Sequence, residues 1–236
     1  MSGLPLLRWD APGPYVVAFS TRVGGVSEGR FASLNLGRRS GDEPERVDEN
    51  RRRLCAEVGV EAGDIALNYQ LHSATVNRAR RGTRGEPGDG LWTDEPGLPI
   101  LALASDCVPI ALARTNGAPA TAVVHAGRIG LLAGLVASAV NALGGKVAAA
   151  IGPAAGPCCY EVGEEVAAPY RARFGAAIVR GRNLDLWQAA ERLLRDAGVE
   201  RVERTDVCTI CHPELFFSYR RDGKPYGSQG VIAYVT

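Results

Sequence analysis

Residues 98–113 read LPILALASDCVPIALA and residues 120–127 read ATAVVHAG. Both runs are apolar at nearly every position. A strand with one wet face alternates, so an unbroken run marks a strand covered on both sides. Covered strands need layers above and below them, which predicts an α/β fold. The polar interruptions then stand out: Ser105, Asp106 and Cys107 end one run, and His125 ends the other.

Working outward, YVVAFST (15–21) is a β-branched strand that runs into the glycine-rich turn RVGGVSEG. Apolar residues at Val47, Leu54, Cys55 and Val58 have helical spacing, which predicts a surface helix over 43–58. IALNYQLHSATVNRA (65–79) reads as a strand or strand pair carrying His72, and RRGTRGEPGDG (80–90) as a polar loop placed to cover a pocket. After the central strands come a helix (131–143), a buried strand (146–152) and a helix over 163–175 interrupted by Pro169. Asp185, with Gln188 three residues on, reads as the N-cap of a further helix, and strands at 201–208 and 230–235 close the chain. No repeat and no long linker divides it. The expectation is one domain over 1–236, with mixed β-sheets layered between helices.

Composition narrows the partners. The 236 residues carry 27 basic and 26 acidic side chains, a net charge of +1, which leaves no electrostatic footprint for nucleic acid or an anionic membrane. Only Lys146 and Lys224 among the basic residues are lysine, a bias from which no function follows. The longest apolar stretch, 129–140, falls well short of the roughly 20 residues that span a bilayer. The N-terminal residues lack a signal-peptide pattern. A cytoplasmic, monomeric protein acting on small molecules is expected.

Six cysteines in such a chain read as thiols rather than a disulfide framework. Cys55 falls on the apolar side of its helix. Cys208 and Cys211 form one C-x-x-C, half of a zinc site, and the reading favours a packed strand end. Cys158 and Cys159 are adjacent and read as part of the turn before a helix. Of the three histidines, His72 and His125 flank Cys107 in sequence. That spacing is no local metal signature, so core packing and ligation both stay open, with Asp106 beside Cys107 as an orienting carboxylate or a turn cap.

A set of longer motifs bears on this choice: FSTRVGGVSEGRFASLNLG (19–37), DEPERVDENRRRL (42–54), QLHSATV (70–76), GDGLWTDEPGLPILALASDCVPIALA (88–113), VVHAG (123–127), IGPAAGPCCYEVGEEV (151–166), DLW (185–187), CTIC (208–211) and FFSYRRDG (216–223). In order and spacing, from Phe19 to Gln229, they closely resemble the laccase-domain, or YfiH-type, family, known both as polyphenol oxidoreductases and as purine nucleoside phosphorylases. The resemblance implies a YfiH-like layered α/β fold. It also implies a zinc held by His72, Cys107 and His125, with a fourth position open to substrate as in catalytic zinc sites. One motif departs: the family continues His-Ala-Gly with Trp-Arg-Gly, whereas this chain has Arg128 and Ile129 in those places. Isoleucine supplies neither charge nor donors, so Ile129 cannot replace that arginine in binding phosphate or orienting substrate.

The activity so implied is phosphorolysis of adenosine, inosine and related nucleosides, with adenosine deamination beside it. Arg22 in the glycine turn is a phosphate candidate, with neighbouring backbone N–H groups as an anion nest. Asp106 and Arg220 are further substrate-binding candidates, and Tyr160, Phe216, Phe217 and Tyr219 are aromatics for a base or for the core. Three alternatives accompany it: a cell-wall precursor hydrolase using Cys107 as nucleophile, a copper-dependent polyphenol oxidase, and a non-catalytic metal-binding partner protein. His-Cys-His is a blue-copper ligand set. A laccase needs a further histidine-rich cluster, and only His212 is left to build it.

Overall fold

The computed structural model describes residues 3–236. Its strands are β1 (Leu7–Trp9), β2 (Tyr15–Phe19), β3 (Ala66–Tyr69), β4 (Val76–Arg78), β5 (Arg84–Pro87), β6 (Gly90–Thr93), β7 (Ile100–Ala104), β8 (Val108–Arg114), β9 (Thr121–Ala126), β10 (Val147–Ile151), β11 (Val179–Arg180), β12 (Asn183–Leu184), β13 (Arg201–Arg204) and β14 (Gln229–Val235). The α-helices are α1 (Pro44–Val58), α2 (Arg128–Ala133), α3 (Leu135–Leu143), α4 (Glu164–Phe174), α5 (Leu186–Asp196) and the single turn α6 (Tyr219–Asp222).

Two six-stranded sheets form, in the orders β1-β2-β14-β7-β3-β5 and β13-β10-β8-β9-β6-β4. Both are mixed: β3 runs parallel to β7 and β5, and β10 parallel to β13, while β8, β9 and β14 pair antiparallel with their neighbours. The sheets pack face to face, and side-chain parity sorts each strand between two cores. On β8, Ile110 and Leu112 face helices α2 to α5, while Ala111 and Ala113 face the other sheet. Strand β10 repeats this with Val147, Ala149 and Ile151 outward and Ala148 and Ala150 inward. Alanines on the inward face let the sheets approach closely, and Phe19, Ile100 and Val231 of the first sheet fill the layer between them. Helix α1 covers the far side of the first sheet through Leu54, Cys55 and Val58, packed on Leu67, Leu101 and Ile232. The result is the expected α/β architecture of mixed sheets between helices, ordered helix, sheet, sheet, helix.

The unbroken apolar runs are thereby explained, and one reading is refined. Residues 98–113 are two strands in different sheets: β7 belongs to the first, β8 to the second, and Ser105-Asp106-Cys107 is the crossing. Residues 65–79 behave alike. Instead of a hairpin, β3 lies in the first sheet and β4 in the second, with His72 in the connection rather than on a strand.

Other expectations are corrected. The polar loop at 80–90 contains β5, which pairs with β3. The helix at 131–143 is broken by Gly134, whose φ of 93° closes α2 and starts α3. Pro169 leaves α4 intact, and it and Glu165, whose carbonyl it frees, both lie on the exposed face. Asp185 caps α5, its Oδ1 accepting the Gln188 N–H at 2.8 Å. Strand β13 stops at Arg204; beyond it Cys208 is packed in a short parallel bridge with Ala154, and Cys211 lies in the turn that follows.

Candidate functional site

Two of the crossings between the sheets bring a candidate metal-binding side chain to the same place. His72 comes from the β3–β4 connection and Cys107 from the β7–β8 connection. His125 comes from β9, on the inward face that it shares with Val123. The donor atoms of all three lie within 4.8 Å of one another. His72 Nε2 is 3.7 Å from Cys107 Sγ, and the two imidazoles meet edge to face at 4.8 Å. Backbone strain accompanies the placement: His72 has φ 60° and Asp106, preceding Cys107, has φ 98°. Non-glycine residues hold such angles only where surrounding bonds fix them.

The fixing group is Asp89, which is 1% exposed. Its carboxylate accepts the backbone N–H of Leu71 (3.1 Å), His72 (3.0 Å) and Ser73 (2.6 Å) and the Ser73 hydroxyl (2.7 Å). Oδ1 also meets His125 Nδ1 at 2.9 Å. One carboxylate thus shapes the loop that presents His72 and orients the ring of His125, leaving His125 Nε2 to face the sulfur. This is the carboxylate-histidine arrangement found behind metal ligands. Gly127 completes the packing: a Cβ there would stand 2.4 Å from His72 Cδ2 and 3.2 Å from Cys107 Sγ.

The three groups perturb one another. Burial pushes the Cys107 thiol up, but the charge and hydrogen bond of His125, and then of His72, outweigh it and bring the thiol down to about 6. Burial pushes His125 down, yet the Cys107 charge and the Asp89 hydrogen bond raise it to about 9. Both shifts favour a thiolate beside an imidazolium in the metal-free site. Two nitrogens and one thiolate suit zinc or copper, and the set leaves a coordination position open.

That open side faces a cavity of about 630 Å³ lined by all three residues. Arg38, Arg39, Arg51, Arg84 and Lys224 also line it, with no carboxylate among its lining residues. In a chain of net charge +1, this is a strong local concentration of positive charge. Arg51 is committed to the Leu36 carbonyl at 3.0 and 2.7 Å, whereas Arg39 lies 3.8 Å over the Tyr69 ring. Tyr69 and Tyr219, 40% and 48% exposed, give the cavity aromatic faces, with Tyr226 beside Tyr219.

The other candidates fall elsewhere. Arg22 donates to the carbonyls of Ala32 (2.7 Å) and Pro213 (2.9 Å) and lies over Phe217, away from the cavity lining. The expected anion nest beside it is filled by the protein itself: Gly24 and Gly25 N–H bond Ser33 Oγ, and Val26 N–H bonds Asn50. Asp106 is buried and accepts from Thr209 Oγ1 (2.6 Å), Ser218 Oγ (3.0 Å) and Arg220 N (2.6 Å). Burial pushes its carboxyl up against those hydrogen bonds. The Arg220 guanidinium donates to the Glu161 carbonyl and stacks 4.8 Å over Tyr160. Phe216 and Phe217 are core. Ile129 is half exposed on α2. His212 pairs with Glu214 in the open. Asp89 and the cavity cations escaped the sequence reading; the only local sign of Asp89 was a carboxylate between two glycines in GDG (88–90).

Known proteins are similar to this chain over nearly its whole length. A purine nucleoside phosphorylase of Deinococcus radiodurans is 41% identical over 98% of this chain and 92% of its own length. Purine nucleoside phosphorylase YfiH of Shigella flexneri is 36% identical over 94% and 95%. The crystal structure of YlmD from Geobacillus stearothermophilus superposes with a TM-score of 0.90 at 31% identity, covering 100% of this chain and 97% of that one. The pattern of one family matches residues 16–236, from β2 through all three clustered side chains to the last residue. With that span and these relatives, the chain belongs to the family described as multi-copper polyphenol oxidoreductase laccase.

Proposed function

We propose that this protein is a purine nucleoside phosphorylase whose metal, zinc, is held by His72, Cys107 and His125. The observation that carries the reading is the joining, in one cavity, of a three-donor site with an open side and a cationic wall free of carboxylates. The relatives' names point the same way. Phosphorolysis must seat an anion beside a nucleoside and stabilise a purine that leaves with negative charge.

In this reading Arg39 and Lys224 gather phosphate, with Arg38, paired to Asp48, and Arg84, donating to the Ala62 carbonyl, beside them, and the tyrosine faces hold the base. Asp89 keeps His125 in one orientation, and the Asp106 network fixes the backbone at Cys107. Bound zinc would supply Lewis-acid polarisation at its open position. Adenosine deamination at the same centre is part of the proposal, favoured by that same vacancy. Copper oxidase chemistry has less support: among the described residues the only other candidate metal cluster is all cysteine, and no further histidines gather into the second centre that a laccase requires.

The test is incubation of the protein with adenosine and inosine, with and without phosphate, beside His72→Ala. Phosphate-dependent release of free base, lost in the variant, supports the reading. No turnover of either nucleoside by zinc-loaded protein overturns it and favours Cys107 as a hydrolase nucleophile or a binding role.

A further inference from the structure

The adjacent cysteines and the C-x-x-C, 50 residues apart in sequence, meet in space. The Sγ atoms of Cys158, Cys159, Cys208 and Cys211 all lie within 4.8 Å of one another. Cys211 Sγ is 3.3 Å from Cys159 Sγ and 3.6 Å from Cys158 Sγ. A tetrahedral zinc with bonds of about 2.3 Å has sulfur–sulfur edges of about 3.8 Å. We propose that these four cysteines form a second, structural metal site that takes one zinc or a similar thiophilic divalent cation, separate from the His72, Cys107 and His125 centre.

The local backbone is built to hold a thiolate. The Gly156 N–H reaches Cys208 Sγ at 3.3 Å. Burial pushes Cys208 up, but backbone hydrogen bonding, that of Gly156 first, outweighs it and lowers it. Cys158 and Cys159 are instead pushed up, first by burial and then by neighbouring thiols. Several thiolates this close repel one another unless a cation stands between them. A sealed four-sulfur set is the pattern of structural zinc, whereas the three-donor centre is open.

The cluster also sits where a crosslink matters. Its two loops touch through a short bridge, Thr209 N–H to Ala154 O at 3.0 Å and Ala154 N–H to Val207 O at 3.2 Å. The same loops hold the residue beside Cys107: Ala155 N–H bonds the Asp106 carbonyl at 2.9 Å, and Thr209, Ser218 and Arg220 bond its carboxylate. A metal on the four sulfurs would lock both loops around Asp106 from behind. The proposal needs no particular activity at the cavity.

The experiment counts metal and thiols in the full chain. His72→Ala weakens the first centre, and its purified protein is expected to keep about one zinc per chain, with the four cysteines unreactive to a thiol reagent until a chelator is added. Cobalt loaded into that variant should give the strong thiolate charge-transfer and intense visible bands of tetrahedral four-sulfur coordination. Cys211→Ser in the same background should lose both metal and bands. Should that variant fail to fold, the chelator-dependent unmasking of four thiols in His72→Ala stands as the test. Four thiols reactive without chelator, a disulfide within the set found by mass spectrometry, or a cobalt spectrum of mixed nitrogen and sulfur ligands alone would overturn the proposal.

Discussion

Asp89 binds His125 twice: its Oδ1 lies 2.9 Å from His125 Nδ1, and its backbone carbonyl accepts the His125 N–H at 2.7 Å. Side chain and main chain together leave the imidazole one orientation. Asp89→Asn keeps the size but weakens the charge-assisted bond and the grip on residues 71–73. Zinc affinity of the His72, Cys107 and His125 centre is expected to fall about 10- to 100-fold, measured by competition with a chromogenic chelator. Unchanged affinity would remove Asp89 from the metal reading.

Cys107 gives a pH-dependent readout in the metal-free protein. With its thiol brought down to about 6 by His125 and His72 against burial, the reactive thiolate is already the major form at pH 7. Alkylation of Cys107, followed by mass spectrometry, should therefore rise through a midpoint near 6 and level off by neutrality. A midpoint near 8.5, the ordinary thiol value, would contradict the thiolate and imidazolium pairing. Added zinc should protect the residue.

The cavity cations separate two readings of phosphate binding. Arg39→Ala and Lys224→Ala should each raise the KM for phosphate about tenfold or more, as expected for a lost charge-assisted contact worth ~1.5–3 kcal/mol. The KM for nucleoside should change little with Lys224→Ala. Arg22→Ala should act differently. It loses two carbonyl contacts and the stacking on Phe217, so its effect should appear in Tm rather than in phosphate KM. A large KM effect at Arg22 with none at Arg39 or Lys224 would reverse the assignment.

Gly127→Ala tests the packing behind His72. The added Cβ would meet the imidazole at 2.4 Å, so the ring has to move off the site. Metal content should drop while the far-UV circular dichroism stays the same, because the clash falls on an exposed ring rather than on β9.

The strand runs were legible because burial on both faces leaves a signature at every position, and His72, Cys107 and His125 were legible through their motifs. Other features were not, for reasons of distance. Asp89 acts across folded loops, meeting residues 71–73 and 125, and nothing near GDG says so. The meeting of Cys158 and Cys159 with Cys208 and Cys211 left no local sign, because it depends on how β10 and β13 pair, bringing their following loops side by side. Arg22 misled in the other direction: STRVGG reads like an anion nest, but Ser33, eight or nine residues on, occupies the N–H groups of both glycines.

His72 and Cys107 each sit where the chain steps from one sheet to the other. An ion gripping both would act as a rivet through the two sheets, opposing any slide of one over the other. Its release should reach far beyond the cavity. Amide protons along β7 and β14 should exchange faster together with those of β8 and β9, so that occupancy of a single atom is read out as the cooperativity of the entire double layer.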